Sequence, residues 1–510
     1  MKLKVTENEQ FLQLIDSTEI ESSQLQYSLT KKVENYFIIK KKIPSWDGDV
    51  KFIDKYDRIP IGLWHEVQKL SSKYMFRLEI EGVEKLFDKN FNEEKFYEWA
   101  LDYFSEADIT PRDYQLEGAC KILKYKNCIE EISTSGGKTL IAFMLFKYFF
   151  DVLKIKKMLY VVPNVNLVTQ TEEKFYEYED KCQKKPNWKS DCAFGGARKK
   201  DGEDEVNIVF GTYQTLAKRS LEYFAEFDVV CIDETHHAVA QSIKTILVKC
   251  YNAKYKFGLT GTLPVEGSCA SFTLQSYLGP KVYTIHSADL IAAGNATPVN
   301  VVGIELNYLE EDMKKKLFEL RNVDAADKDG AKLLNLEKDV ARSSRKRLLY
   351  ICEMAAKTTK NTLMLFADIK NDYGRNVYNW LKENTEKNVY YIDGGTKNEN
   401  RDYYKKQMEE LDNTIIIAST GTFSEGIDIL NVHNIFVLES HASQFIIRQI
   451  LGRGMRLMKS KEKMMVIDFS DNYEWGYGFQ KKNYLMRHAD TRRQIYKEKR
   501  FPFALIKVRL

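Results

Sequence analysis

Long apolar runs are missing from this 510-residue chain. The longest, Thr139 to Phe150, is short and carries Lys147, well below the roughly 20 apolar residues that a membrane span needs. A soluble protein with no membrane partner is therefore expected. The opening residues, MKLKVTENEQ, turn polar before an export signal could form, so an intracellular, cytoplasmic setting is the expectation. No C-x-x-C pair occurs among the eight cysteines, which makes disulfide and zinc roles poor readings and reduced core positions the better one. Proline and glycine are sparse, at 9 and 26 residues, which excludes a collagen-like or low-complexity chain. A strong charge excess is missing too. With 77 basic and 73 acidic side chains the net charge is +4, which neither requires nor excludes a nucleic-acid partner, because a basic groove can hide in a balanced total.

What is present is length and pattern. At roughly 150 residues per domain the chain predicts three to four domains. Residues 1–105 are rich in Lys, Glu and aromatics, and the stretch from Asn35 to Ile61 alternates enough to predict a small strand-containing unit with a turn at Trp46-Asp47-Gly48. From about Ile109, short apolar runs (IEEIS, MLYVVP, VNIVFG, DVVCID, YKFGLTG) alternate with longer amphipathic stretches. A charged helical stretch, Glu310 to Lys357, interrupts the series, which resumes with NTLMLFA, VYYID, TIIIAS, NIFVLES and EKMMVIDF. Such alternation is the mark of βαβ units, and the fold class is α/β: two tandem doubly wound parallel-sheet domains, a small α+β N-terminal accessory domain and a basic C-terminal tail. The expected boundaries are 1–105, 106–295, 296–475 and 476–510.

The chemistry concentrates at strand ends. Gly137-Lys138-Thr139 follows an apolar strand and opens the helix TLIAFMLFKYFF. At such a junction backbone N–H groups and the helix N-terminus cradle phosphate, the lysine reaches the β/γ-phosphates and the hydroxyl holds Mg²⁺. Ile132 stands where a full P-loop pattern has its first glycine. Nearly one hundred residues later the strand Asp228 to Ile232 ends in Asp233-Glu234-Thr235-His236. Asp233 is the candidate Mg²⁺ ligand and Glu234 the residue that orients or deprotonates the attacking water. His236 and His237 find no further Cys or His pair at zinc-ligand spacing. Arg453 and Arg456 are three apart on a predicted helix, so both guanidinium groups can face one way, toward transferring phosphate.

In order along about 350 residues, these segments resemble the superfamily-two DExH-box helicases. Pro111-Arg112-Asp113-Tyr114-Gln115 resembles the element whose Arg and Gln lie at the nucleotide base, here Arg112 and Gln115. Thr134-Ser135-Gly136-Gly137-Lys138-Thr139 resembles motif I, with Ser135 in place of Gly. VPNVNLVTQ resembles motif Ia and points to Asn166 as a DNA contact, while GTYQT implies the same for Thr212 and Gln214. The resemblance makes Asp233 to His236 motif II and Leu259 to Thr262 motif III, and implies that His236, Thr260 and Thr262 couple the nucleotide site to the track. TGTFSEGID resembles motif V, with Thr420 on the strand and Gly426 and Asp428 at the nucleotide. QILGRGMR resembles motif VI, with Gln449, Arg453 and Arg456 at the phosphates.

Ser45 to Gly48, Lys51 to Asp54, Ile59 to Leu63, Leu278-Gly279-Pro280 and Ala288 to Ile291 are similar to the UvsW family of bacteriophage helicases. This implies an ATP- and Mg²⁺-dependent motor that acts on branched DNA, such as forks, Holliday junctions and displacement loops, in recombination, replication and repair. The expected setting for a phage-encoded motor is the host cytoplasm, as a monomer working alongside recombination or single-strand-binding proteins. An RNA helicase, the motor subunit of a restriction system and a nucleotide-gated DNA clamp stay as alternatives. Lys481 to Leu510, read as helical or irregular, carries ten basic residues against Asp490 and Glu498, a local +8. With residues 1–105 it is a candidate DNA contact. Trp46 fits a wedge at a duplex junction or a buried anchor.

Overall fold

Alternating apolar and charged residues near the N-terminus build small, half-exposed sheets. The computed structural model of the protein describes residues 1–34, 36, 43, 45–133, 135–193, 206–235, 241–324, 330–367, 372–424, 429–439, 444–458, 461–475 and 482–510. Its first six strands are short: β1 (Lys2–Val5), β2 (Phe11–Asp16), β3 (Thr30–Lys32), β4 (Asp49–Lys51), β5 (Arg58–Pro60) and β6 (Glu79–Glu81). One sheet has the order β5-β2-β1-β6, and β3 pairs with β4 separately. Trp46 to Gly48 close the connection into β4: the Asp47 carboxylate accepts from the Asp49 N–H at 3.0 Å, and the Val33 N–H donates to the Gly48 carbonyl at 2.8 Å. These strands share their core with the helix Cys269–Leu278: Leu3, Leu12, Ile59 and Trp64 cluster with Cys269 and Phe272. A Cβ on Gly62 would stand 2.0 Å from the Gln275 carbonyl oxygen, so the approach is closed to any other residue. The chain accordingly divides into two compact units, 1–285 and 286–510, with the N-terminal strands inside the first.

Fully apolar strands must be covered on both faces, which is what a parallel sheet with helices on each side provides. In the first unit β7 (Asn127–Ile132), β8 (Met158–Val162), β9 (Ser190–Ala193), β10 (Ile208–Thr212), β11 (Val229–Asp233), β12 (Tyr255–Thr260) and β13 (Lys281–Ile285) form a parallel sheet of order β13-β7-β12-β11-β8-β10-β9. The longest apolar run of the sequence becomes the helix Lys138–Asp151, buried from Leu140 through Phe149. Its one internal charge, Lys147, pairs with the buried Glu179 at 2.9 Å. Glu179 also accepts from Tyr103 Oη and Trp188 Nε1, which satisfies a carboxylate that could not otherwise be buried.

The second unit repeats the plan. Strands β14 (Val299–Asn307), β15 (Thr362–Phe366), β16 (Asn388–Ile392), β17 (Thr414–Ser419), β18 (Asn434–Val437), β19 (Met464–Asn472) and β20 (Phe503–Arg509) take the order β16-β17-β15-β18-β19-β14-β20, all parallel. The charged stretch that interrupts the alternation holds the helices Glu311–Asp324, Gly330–Ser343 and Arg345–Ala356. The C-terminal segment departs from its helical or irregular reading: after the helix Tyr484–Glu498 it supplies β20, an edge strand beside β14. Arg492 is 1% exposed and ion-paired with Asp468 at 2.8 Å, and Lys507 and Arg493 both reach Glu305, so several of the basic residues there serve the fold. Of the aromatics in this segment, Tyr496 and Phe501 are buried and Phe503 is exposed. No described helix is long and apolar enough to cross a membrane.

Candidate active site

In a doubly wound sheet, ligands bind beyond the carboxyl ends of the strands. In the first unit β12 lies between β7 and β11, so the chain ends leaving these three strands are neighbours. From β7 the chain turns through Ser135 (φ +76°) and Gly137 (φ +79°) into the helix Lys138–Asp151. Gly137 is the N-cap and offers no capping side chain, which leaves this helix end suited to an anion.

The loop is held from the side by the helix Asp113–Tyr125. Tyr114 Oη and Gln115 Nε2 both donate to the Gly136 carbonyl at 3.0 Å, and Arg112 Nη1 donates to Tyr114 Oη at 3.1 Å. The Gln115 carbonyl oxygen in turn accepts from the Arg112 N–H at 2.9 Å. A Cβ on Gly137 would stand 2.2 Å from Gln115 Nε2, so glycine is required both by φ and by this contact. Tyr114 belongs to the quoted motif, but nothing in the sequence pattern singles out its hydroxyl as a support.

At the end of β11, Glu234 Oε1 accepts from Lys138 Nζ at 2.9 Å. Both groups are largely enclosed, with side chains 11% and 19% exposed for Lys138 and Glu234. Burial pushes the Asp233 carboxyl above its ordinary range, while the Lys138 ammonium pulls it back and Glu234 adds to the rise. Asp233 is oriented at both oxygens, Oδ2 accepting from Tyr160 Oη at 3.0 Å and Oδ1 from the Glu234 N–H at 2.8 Å. Tyr160, in the core on β8, is a support that the motifs do not show. Glu234 itself has φ +50°, a conformation that costs energy for a non-glycine residue.

A carboxylate, a helix-opening hydroxyl at Thr139 and a lysine around an uncapped helix N-terminus are the donor set that a Mg²⁺-triphosphate takes, so the residues fit that group. The buried Thr260 and Thr262 are joined to each other, Thr260 Oγ1 donating to the Thr262 carbonyl at 2.7 Å, directly after the strand that separates β7 from β11. Thr235 ties the two strand ends, its side chain packed against the Cα of Gly258.

The other expected residues fall differently. Asn166 and Gln214 are exposed, and Trp46 is half-buried with its indole N–H donated to the Asp49 carbonyl at 3.2 Å. Thr212 and Thr420, the other two residues expected at the DNA, are 4% and 2% exposed. The Thr212 hydroxyl caps the short helix Tyr213–Leu216, and Thr420 sits where β17 turns directly into the helix Thr420–Ser424.

Arg453 and Arg456 do not share a helix as predicted. The helix is Gln444–Gly454 and Arg456 lies beyond its end; its last residue, Gly454, packs so tightly on β19 that a Cβ there would meet Met464 Sδ at 2.1 Å. Thr134, His236, Gly426 and Asp428 lie outside the described residues, as do the side chains of Gln449 and Arg453.

Residues 108–265 match the family described as type III restriction enzyme, res subunit, and residues 345–458 match the helicase conserved C-terminal domain. The chain is 27% identical over 485 residues to the ATP-dependent DNA helicase uvsW of Enterobacteria phage T4, covering 91% of each. It is 24% identical over 419 residues to the DNA 3'-5' translocase XPB2 of Sulfurisphaera tokodaii, covering 77% of this chain and 86% of that one. Among solved structures, the type ISP restriction-modification enzyme LlaBIII bound to DNA shares the fold with a TM-score of 0.53 at 16% identity, over 78% of this chain and 31% of that one.

Proposed function

The chain belongs to the superfamily-two helicases and is an ATP-hydrolysing helicase, and from that premise we propose that it is a DNA motor acting at branched junctions such as forks, Holliday junctions and displacement loops. The observation that carries the ATP-site assignment is the juxtaposition, at adjoining strand ends, of an uncapped helix N-terminus, Lys138 and the Asp233-Glu234 pair. In this reading Ser135, Gly136, Gly137 and Lys138 receive the phosphates, and Arg112 and Gln115 lie at the base. Thr139 and Asp233 hold Mg²⁺, which when bound neutralises phosphate charge. Glu234 orients and deprotonates the attacking water. Gly426, Asp428, Gln449, Arg453 and Arg456 are the further nucleotide-directed residues that the motif resemblance names. His236, Thr260 and Thr262 carry the state of the nucleotide toward a DNA path that includes Trp46, Asn166 and Gln214, with the backbone around Thr212 and Thr420.

DNA as the track is supported by the relative at 27% identity, which is named a DNA helicase and matches along nearly the whole chain. Branched DNA as the substrate rests on the short N-terminal resemblances, in residues that share a core with the helix Cys269–Leu278 of the first unit. ATP hydrolysis measured with single-stranded RNA, duplex DNA and forked DNA tests both steps. Forked DNA is expected to stimulate most; preference for RNA overturns the choice of track, and equal stimulation by plain duplex overturns the choice of junction.

Gly137→Ala tests the phosphate loop. A methyl group placed 2.2 Å from Gln115 Nε2 at φ +79° must displace either the side chain or the loop. ATP affinity in equilibrium titration is expected to fall by about tenfold or more, since a loop shifted by even part of an ångström misdirects its N–H groups. Unchanged affinity would remove this loop from the site.

A further inference from the structure

We propose that Thr297 and Lys461 clamp the backbone of Gly454, Met455 and Arg456 and so aim the arginines of that segment, which makes both of them positioning residues for ATP hydrolysis. The inference rests on the reading of Arg453 and Arg456 as phosphate-directed groups. The last carbonyls of a helix have no partner inside it and are normally left to water or a cap. Here three successive carbonyls are each taken by a buried group. Gly454 O accepts from Lys461 Nζ at 2.8 Å, Met455 O from the Thr297 N–H at 2.8 Å, and Arg456 O from Thr297 Oγ1 at 2.8 Å. The Lys461 ammonium also donates to the Leu430 carbonyl at 3.0 Å, joining this turn to the stretch that follows Asp428.

Burial makes the clamp more than a local cap. Thr297 is fully buried and Lys461 is 5% exposed. Among the described residues the partners of the Lys461 ammonium are carbonyls and no carboxylate pairs with it, and an enclosed ammonium without one is costly. A leucine or methionine would fill that space at lower cost, so the carbonyl contacts are what the lysine contributes. Both arms are mounted close to the sheet: Thr297 lies two residues before the first residue of β14, and Gly454 is pressed on Met464 at the start of β19, the strand paired with β14. The arginine segment is therefore referenced to two strands that are each paired on both sides, although Arg456 lies past the end of its helix.

Lys461 also makes the clamp sensitive to pH. Burial pushes its pKa down to about 8, with the Arg456 guanidinium adding to the fall. The other titratable group facing it is His433, itself lowered by burial and hydrogen-bonded to Asn431 Oδ1 at 3.0 Å. As pH rises through about 8 the ammonium loses its charge, and the charge-assisted bonds to Gly454 and Leu430 weaken.

Steady-state ATP hydrolysis by the full chain with saturating DNA tests this. Thr297→Val, which removes the hydroxyl and keeps the N–H, and Lys461→Met are each expected to lower kcat about tenfold with KM for ATP unchanged. Thr297→Ser is expected to retain wild-type kcat. Lys461→Arg is expected to restore turnover and to extend activity above pH 8, where the wild type declines. If Lys461→Met fails to fold, the Val and Ser pair at position 297 decides alone. Valine and methionine variants that match an active wild type overturn the clamp by itself. A wild type that does not hydrolyse ATP overturns the reading beneath it and the clamp together.

Discussion

Lys138→Ala is expected to lower ATP turnover at saturating DNA by at least about 10²-fold, and Glu234→Gln by a comparable or larger factor, with DNA binding largely retained in both. The two substitutions act at opposite ends of one 2.9 Å ion pair for different reasons. Removing the Lys138 ammonium takes away the charge aimed at the β/γ-phosphates, together with the cation that offsets the burial of Asp233. Replacing Glu234 keeps shape and hydrogen-bonding reach while removing the base. Phosphate release measures the first effect, and anisotropy of labelled DNA measures retention. Turnover at the wild-type rate in either variant would remove Lys138 and Glu234 from catalysis.

Glu130→Met is expected to stabilise the first unit at alkaline pH by an amount that shrinks as pH falls. Glu130 lies on β7 with no exposure, and neither carboxylate oxygen has a hydrogen-bond partner. Burial, reinforced by Glu117, pushes its pKa from 4.5 up to about 8, so the folded protein holds this carboxyl neutral at pH 7 while the unfolded chain ionises it. Unfolding therefore releases a proton between about pH 4.5 and pH 8. Stability falls across that window as pH rises, by about 1.4 kcal/mol per unit at most, and levels off above it. Methionine has similar length, carries no charge and adds nothing to the slope. Denaturant midpoints at pH 5 and pH 8.5 should diverge between the two proteins, by on the order of 4 kcal/mol more at the higher pH. Parallel pH profiles would show that Glu130 finds a partner that keeps it ionised.

Much of the architecture is legible in the sequence because fully buried parallel strands have to be written as apolar runs. IEEIS, MLYVVP, VNIVFG, DVVCID and YKFGLTG correspond to β7, β8, β10, β11 and β12, and the five later runs correspond to β15 through β19. The strands that escape are of another kind. β20, FALIKVR, does carry a short apolar run, Phe503 to Ile506, but the run is exposed and stands in a segment whose basic residues dominate its reading. β14 is central but carries Glu305, which is tolerable there only because Arg493, Lys507 and Asn472 arrive from far along the chain. At the candidate site, the residues named by motif are legible and those that brace them are not. Tyr114 and Tyr160 do their work through single hydroxyls on carbonyl and carboxylate oxygens, and no spacing rule connects Tyr160 to Asp233 across 73 residues. Thr212 has a second role that its motif does not show, its hydroxyl capping the helix that follows the strand.

The place of β14 between β19 and β20 also shapes how the protein is made. The strand that opens the second sheet can pair on neither side until residues 464–472 and 503–509 have been synthesised. At roughly 5 to 20 residues per second, the ribosome needs about 10 to 40 s to travel from the end of β14 to the end of β20. For that interval β14 is a nine-residue strand with both edges open, the kind of segment that recruits foreign strands and chaperones. The first unit, whose strands all precede residue 286, is free to fold while its neighbour is still being translated. The contacts joining the two ends of the second unit therefore defer the pairing of its first strand until the segments 464–472 and 503–509 have been made, and β14 relies on shielding over that interval.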